Sequence, residues 1–211
     1  MNDIIKHEIE YRGKDILPLL NKNIAICGCG AIGSNLADTL ARQGFTNFTL
    51  IDFDRVEEKN IGTQAYSHYH VGLLKVAALE DIIWNINEQT QITSKNIRLN
   101  EKNIGKLIRD ADIIIDAFDN TNSRQLLKDY GHNGFEVFHG GMFEGYAECI
   151  WNDNYKVPLV KEGLDVCDYP LARNIVTLLT TVMAEEIMSY LITNDKRGFC
   201  ITLRDLKITK L

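Results

Sequence analysis

The chain has 211 residues, of which 45% are hydrophobic and 25% are charged, and its formal net charge is −6. This length and apolar content predict a single soluble domain over residues 1–211. Because phosphate contacts need a basic patch and Lys and Arg are not clustered here, we expect no nucleic-acid partner. We find neither a signal-peptide pattern nor an apolar run of about 18–20 residues, so we expect a cytoplasmic protein outside the membrane.

The predicted elements alternate between strand and helix through the first 130 residues. Uninterrupted apolar runs predict buried parallel strands at 23–27, 48–51 and 113–115. Apolar residues at helical spacing predict helices over 34–43, 72–87 and 104–108, and residues 92–99 have an extended pattern. We therefore predict an α/β fold, Rossmann-like, whose mostly parallel central sheet is flanked by helices.

The pattern changes after residue 135. Residues 135–151 suggest strands that are separated by Gly140, Gly141 and Gly145. A long helix is predicted from 171 to 191, and residues 199–208 alternate like one or two terminal strands. We expect these later strands to extend the sheet as an antiparallel edge.

Cysteine and histidine are present, but their spacing does not favour a metal site. The five cysteines lie at 27, 29, 149, 167 and 200, an odd number without a Cys-x-x-Cys pair. We therefore expect neither a disulfide framework nor zinc. Cys149 and Cys200 fall in strand-like runs and are predicted to lie in the core. His68 and His70 occur in a polar loop and are predicted to be exposed to solvent.

A glycine-rich turn gives the most specific local signal. Residues 28–33 read Gly-Cys-Gly-Ala-Ile-Gly, directly between a predicted strand and a predicted helix. Glycines in this context allow a tight turn and bring a phosphate close to backbone N–H groups. Asp52 lies 19 residues after Gly33, at the end of the next strand, where a carboxylate can hold ribose hydroxyls. The pair predicts a nucleotide site without naming the nucleotide, and a purely structural turn remains the alternative.

Further motifs follow the turn in order: 52–57, 60–64, 71–76, 116–120 and then Arg124. This series resembles the ThiF/MoeB family, the bacterial relatives of ubiquitin-activating enzymes, from about residue 20 to the C-terminus. The resemblance implies an adenylyltransferase that uses ATP and Mg²⁺. Its substrate would be the C-terminal glycine carboxylate of a small ubiquitin-fold sulfur carrier of the ThiS/MoaD type. A homodimer, a sulfur-donor protein and a role such as thiamine biosynthesis are further implications.

The same resemblance assigns the glycine turn and its neighbours to the nucleotide. The turn residues are Gly28, Gly30, Ala31 and Gly33, and Asp52 would hold the ribose.

Polar residues beyond the turn take the remaining roles that the resemblance implies. Asn60 and Gln64 would lie beside the phosphates, and Lys75 would support the outer phosphates. Asp119 would bind Mg²⁺, with Asn120 following it in the family's Asp-Asn pair.

Four residues of this region could instead have a purely structural role, without contact to a ligand. Asp54 is either a second nucleotide contact or a turn residue, and Lys75 could lie on a solvated helix face. Asp119 could cap the helix that is predicted to start near Asn120. Arg124 would more often fix its own helix than contact a ligand.

The implied reaction needs little acid–base chemistry. A carboxylate is already ionised at neutral pH, so its attack on an α-phosphate requires alignment and charge neutralisation instead of a general base. One expected cation is missing, because Thr63 stands where the family usually has Arg. Arg55, or Arg12 from a partner subunit, are the candidates to replace it.

Cys167 occupies the place where many relatives carry a reactive cysteine, in the loop before the last long helix. A thiolate there would be a nucleophile for the activated acyl group, although Asp165 and Asp168 would raise its pKa. A structural thiol is the alternative. For the whole chain, the competing functions are an NAD-dependent oxidoreductase, a non-catalytic nucleotide-binding scaffold, and an enzyme that activates a small-molecule or tRNA-linked carboxylate.

Overall fold

The computed structural model describes residues 3–158 and 170–211. In this part of the chain, eight strands form one sheet in the order β3-β2-β1-β4-β5-β6-β7-β8. The strands are β1 Asn23–Cys27, β2 Asn47–Asp52, β3 Gln91–Asn96, β4 Ile113–Asp116, β5 Val137–Phe143, β6 Tyr146–Trp151, β7 Phe199–Thr202 and β8 Lys207–Lys210. The α-helices are α1 Lys6–Arg12, α2 Ala31–Gln43, α3 Lys75–Ile86, α4 Ile104–Ile108, α5 Thr121–Gly131 and α6 Arg173–Thr193.

The sheet divides into a parallel half and an antiparallel half. β1 pairs in parallel with β2 and β4, β2 pairs with β3, and β4 pairs with β5. β5, β6, β7 and β8 then follow one another in antiparallel order. These pairings confirm the predicted α/β sheet with antiparallel C-terminal strands, and the tail forms two strands.

Several predicted boundaries are off by two or three residues, for local reasons. α2 begins at Ala31 instead of 34, because the glycine turn runs directly into the helix and Ser34 N already bonds to Gly30 O at 3.0 Å. α3 begins at Lys75 instead of 72, because Gly72 has φ +87° and its N–H bonds to Val56 O. α6 is displaced by two residues and ends at Thr193, where the C-cap residue Asn194 lies in the left-handed region.

The prediction that Gly140 and Gly141 separate two strands is wrong. Both lie inside β5, and only Gly145 lies in the turn to β6. A Cβ at Gly140 would come within 2.9 Å of Met183 Sδ on α6. The glycine therefore allows the helix to pack closely on the strand.

α6 is the central helix of the C-terminal half. It packs against α2, β6 and β7, and Ile175, Leu179, Met183 and Ile187 on it are fully buried. By length and composition α6 could also span a membrane, a property that we did not expect from the sequence. Half of its apolar stretch is buried inside the protein, as in the core helix of a soluble protein.

The cysteine and histidine predictions are partly confirmed. Cys149 is buried in the core, whereas Cys200 is only half-buried. His68 is exposed, but the side chain of His70 is 14% exposed and its Nδ1 bonds to Ser67 N at 2.9 Å. Among the described residues, no three His, Cys, Asp or Glu side chains are grouped so that they could hold a metal.

Candidate nucleotide site

A cavity of about 450 Å³ opens where β1, β2 and β4 end. In open α/β sheets this edge, beside the strand at which the connections change direction, is where ligands bind. Gly28, Gly30 and Ala31 of the predicted turn line the cavity. Seven further predicted residues also line it, and they are described below. Gly33 is not part of the lining, and Cys167 lies outside the described residues.

The glycine turn has a backbone shape that other residues would disturb. Gly28 has φ +97°, and a Cβ on it would lie 2.8 Å from Ala117 O. A Cβ on Gly33 would lie 1.8 Å from Gly28 O, so Gly33 supports the turn from beneath instead of facing the cavity. A Cβ on Gly30 would meet no atom within 4 Å. The N-cap residue of α2, Gly30, has no side chain that could occupy the first N–H groups of the helix, and such groups bind anions.

Asp52 connects the end of β2 to the glycine turn. It is 7% exposed, its Oδ2 accepts a hydrogen bond from Cys29 N at 2.7 Å, and its Oδ1 accepts one from Asp54 N at 2.8 Å. Burial raises the pKa of Asp52, although Lys75 and the two N–H groups act in the opposite direction. Each carboxylate oxygen keeps lone-pair capacity for a further donor, such as a ribose hydroxyl.

Lys75 is a buried cation at the wall of the cavity. It is the first residue of α3, it is 8% exposed, and its Nζ lies 3.1 Å from Asp54 Oδ2. Burial lowers its pKa, but attraction to Asp52 and Asp54 outweighs burial, so the pKa is raised overall. The reading of Lys75 as a solvated surface residue is therefore wrong, and Asp54 is its ion-pair partner.

The segment around Thr63 supplies amide groups to the same cavity. Asn60 Oδ1 accepts a hydrogen bond from Glu57 N at 2.8 Å, which fixes the local turn. Gln64 Oε1 is buried without a hydrogen-bond partner in the described part of the chain. A buried acceptor without a donor costs about 1–3 kcal/mol.

Asp119 and Asn120 follow β4 on the opposite wall. Asn120 Oδ1 accepts a hydrogen bond from Ser123 N at 2.9 Å, so Asn120 caps α5 and the suggestion that Asp119 caps it is wrong. Asp119 is exposed, and its charge helps to raise the pKa of Lys75.

Arg124 lines the cavity, and its fixed partners lie outside its own helix. Nη1 donates to Tyr155 Oη at 2.9 Å and Nη2 donates to Gly140 O at 3.0 Å. As expected, Arg124 has a structural role, but these hydrogen bonds extend beyond its own helix. It joins α5 to β5 and to the segment after β6.

A buried polar chain lies behind this wall, and the sequence did not reveal it to us. His139 Nδ1 lies 2.8 Å from Asp116 Oδ2, and His139 Nε2 lies 2.9 Å from Asn152 Oδ1. The Tyr155 ring stacks on His139 with centroids 3.7 Å apart. Asp116 and His139 are paired residues of the parallel strands β4 and β5, so polar residues that end neighbouring apolar runs are the signal that could have found the pair.

The two cations that were suggested to replace an arginine at position 63 are held elsewhere. Arg55 Nη1 donates to Gly72 O at 2.8 Å and is not among the residues that line the cavity. Arg12 bonds to Glu8 and Glu185 of the same chain, and its side chain is 11% exposed. Within this single chain neither guanidinium bonds to Thr63, and the suggestion that Arg12 comes from a partner subunit stays a prediction.

The fold and the cavity together define an α/β protein with a candidate nucleotide site at the carboxyl ends of its parallel strands. Comparison with known families agrees: the ThiF family model matches residues 8–210, and the chain belongs to the ThiF family.

Curated relatives are adenylyltransferases. The molybdopterin-synthase adenylyltransferase of Escherichia coli is 32% identical over 125 residues, which are 59% of this chain and 49% of that protein. The adenylyltransferase and sulfurtransferase MOCS3 of Aedes aegypti is 32% identical over 127 residues, which are 60% of this chain and 29% of that protein. The match therefore spans less than half the length of either relative.

Solved structures share the fold over the entire chain. E. coli MccB with ATP superposes with a TM-score of 0.79 at 17% sequence identity, and the match covers 100% of this chain and 71% of MccB. PaaA superposes with a TM-score of 0.75 at 20% identity, covering 100% of this chain and 75% of PaaA.

Proposed function

We propose that this chain is an ATP-dependent adenylyltransferase that activates the C-terminal glycine carboxylate of a small ubiquitin-fold sulfur carrier of the ThiS/MoaD type. The observation that carries the proposal is the buried Lys75 cation, which faces the same cavity as the glycine turn. An NAD-dependent oxidoreductase leaves this cation and Asp119 without a role. The ThiF relatives that act as adenylyltransferases also disfavour it.

The chemistry follows from charge and alignment. A carboxylate oxygen of the carrier attacks the α-phosphorus of ATP and forms the new P–O bond. The bond from the α-phosphorus to the bridging oxygen breaks, and pyrophosphate leaves with that electron pair. The product is an acyl-adenylate, ready for a thiol. No proton has to be removed from the nucleophile, so the protein contributes positive charge, N–H groups and orientation.

The residues present have defined places in this proposal. Asp52 holds the ribose, the start of α2 faces the phosphates, and Lys75 balances the charge that develops on the leaving group. The exposed carboxylate of Asp119 fits Mg²⁺, which commonly takes one or two protein carboxylates together with phosphate oxygens. When bound there, Mg²⁺ would neutralise phosphate charge.

The carrier would dock on the hairpin of β5 and β6, within residues 140–151. Phe143 and Tyr146 at its tip are 49% and 41% exposed and lie next to the cavity residue Met142. Exposed aromatic side chains are typical contacts in protein interfaces. We also propose a homodimer, and Cys167 remains the candidate thiol for the second step.

The test is exchange of labelled pyrophosphate into ATP in the presence of Mg²⁺. A ThiS-type and a MoaD-type carrier serve as probes, each with and without its terminal glycine. We expect exchange only with an intact carrier, and loss of exchange in Asp119→Asn. ATP binding without exchange for either carrier would support the scaffold, and NADH binding without ATP affinity would overturn the adenylyltransferase proposal.

A further inference from the structure

A guanidinium from the antiparallel half of the molecule bonds to Thr63, a residue that lines the cavity. Arg173 is the first residue of α6, and its Nη1 donates to Thr63 O at 2.9 Å and to Asn35 Oδ1 at 2.7 Å. Thr63 lines the cavity. Asn35 lies on α2 and donates from Nδ2 to Thr63 O and to Ala31 O. Arg173 is thus held beside the helix start that faces the proposed phosphates.

The cavity itself holds more acidic than basic side chains. Four carboxylates line it, from Asp52, Asp54, Glu57 and Asp119, against three cations, from Lys59, Lys75 and Arg124. Lys75 Nζ is bonded to Asp54, and Arg124 is bonded to Tyr155 and Gly140. A nucleoside triphosphate adds several negative charges to this acidic environment. Positive charge in addition to that of the lining and of Mg²⁺ therefore stabilises the bound phosphate chain.

Arg173 has the donor capacity to supply this charge. A guanidinium carries five N–H donors in a planar fork, and Nη1 accounts for two of them. Among residues 3–158 and 170–211, no acceptor bonds to Nε or Nη2 of Arg173, and the side chain is exposed. The contacts of Nη1 fix the plane of the fork, while the other edge remains able to bind phosphate oxygens.

We propose that Arg173 binds the phosphates of ATP beyond the α-phosphate, at the rim formed by Thr63. The proposal rests on the proposed function, because it concerns the ATP of that site. Asp52 marks the ribose end beside Cys29, and the start of α2 receives the phosphates that follow. Thr63 also lines the cavity and is joined to α2 through Asn35. Arg173 of α6 would therefore supply the positive charge for the phosphates that the side chain of Thr63 lacks.

The experiment compares the affinities for ATP and AMP by calorimetric titration of the wild type, Arg173→Gln and Arg173→Lys. We expect Arg173→Gln to weaken ATP binding by about 10- to 100-fold, as for loss of a charged hydrogen bond. AMP binding changes by less than about twofold, because AMP lacks the outer phosphates. Arg173→Lys keeps the charge and recovers part of the ATP affinity. The matched control is Arg42→Gln, which changes the net charge equally but removes only an exposed pair with Asp38.

A purely structural brace gives a different result. If Arg173→Gln weakens ATP and AMP equally, or lowers the melting temperature without changing the ATP-to-AMP ratio, the proposal is overturned and the proposed function stands. If the wild type binds neither nucleotide, both fail together. A change of the ratio with an unchanged melting temperature supports Arg173 as a phosphate ligand.

Discussion

Asp52 in the parallel half of the sheet and Glu186 in the antiparallel half are both buried carboxylates, and the protein holds them in different ways. Glu186 is 1% exposed, and its Oε1 accepts hydrogen bonds from Trp151 Nε1 at 3.2 Å and from Arg197 N at 2.7 Å. Its Oε2 is paired with the Arg197 guanidinium at 2.9 Å and 2.7 Å. Asp52 has two backbone donors, and its nearest cation is shared with Asp54.

The difference separates a scaffold group from a binding group. Glu186 is compensated from all sides by protein donors, so it stabilises the packing of α6 on β6. Burial raises the pKa of Asp52, which means that its negative charge is incompletely compensated. A charged group held in this state beside a cavity is typical of a functional site. The parallel half therefore carries the candidate site, and the antiparallel half supports it and contributes Arg173, which bonds to Thr63.

The largest expected effect is on stability, in the antiparallel half. Glu186→Ala leaves Arg197 and the Trp151 indole without their buried acceptor, so we expect the free energy of unfolding to fall by about 3 kcal/mol or more. Denaturant unfolding measures it, and ATP affinity of the folded protein should be unchanged. The control is Glu185→Ala, which removes an exposed partner of Arg12 and should cost about 0–1 kcal/mol. Equal losses in the free energy of unfolding of the two variants would show that Glu186 is not a special buried acceptor.

Lys75→Met tests the opposite half. Removing the buried cation should lower the adenylation rate by about 10²- to 10³-fold, as for loss of a preorganised charge-stabilising group. Stability should also fall, because buried Asp52 loses its nearest cation, although methionine still fills the buried volume and the other partner, Asp54, is half exposed. The rate is measured by pyrophosphate exchange with the wild type in parallel. Lys106→Met, at an exposed position on α4, should exchange at the wild-type rate; a similar loss there would indicate a general charge effect.

Two glycines of one turn should respond differently. Gly33→Ala forces a Cβ against Gly28 O, so we expect a loss of about 1–3 kcal/mol in the free energy of unfolding and a damaged nucleotide turn. Gly30→Ala meets open space and should fold with nearly wild-type stability. Thermal unfolding of both variants is the measurement. A Gly30→Ala variant as unstable as Gly33→Ala would show that the turn tolerates no side chain anywhere.

The smallest effect is a pH dependence. Since burial raises the folded-state pKa of Asp52 above its ordinary 3.8, the folded state binds more protons than the unfolded state in the window between the two values. The contribution of Asp52 to stability is therefore fully present below the unfolded pKa and is lost as pH rises through the folded pKa. Relative to Asp52→Asn, the wild type should lose stability as pH rises from about 4. If the difference in the free energy of unfolding between the wild type and Asp52→Asn does not change with pH, the raised pKa of Asp52 is contradicted.

Local patterns predicted much of the parallel half. The strands are apolar runs that end at a glycine or an aspartate, so β1, β2 and β4 were located within one residue. The start of α2 was missed because glycine predicts a turn, and here the turn continues directly into the helix. Gly140 and Gly141 were read as breaks, since the packing of α6 that permits them is not visible in a local window.

The site was predictable where its residues follow one another along the chain. His139 was missed because only the pairing of β4 with β5 brings it to Asp116, 23 positions away. Arg173 is 110 positions from Thr63, and nothing near either residue indicates their contact. Side chains that the topology brings together from distant segments lie beyond what spacing alone can show.

The two outermost strands also limit how far the sheet can extend. β3 carries Lys95, and β8, whose four residues are all exposed, begins and ends with Lys207 and Lys210. A strand from another molecule that paired with either edge would have to strip water from these ammonium groups. Lysines at both margins therefore protect an eight-stranded sheet against growth into fibrils or amorphous aggregates at high protein concentration.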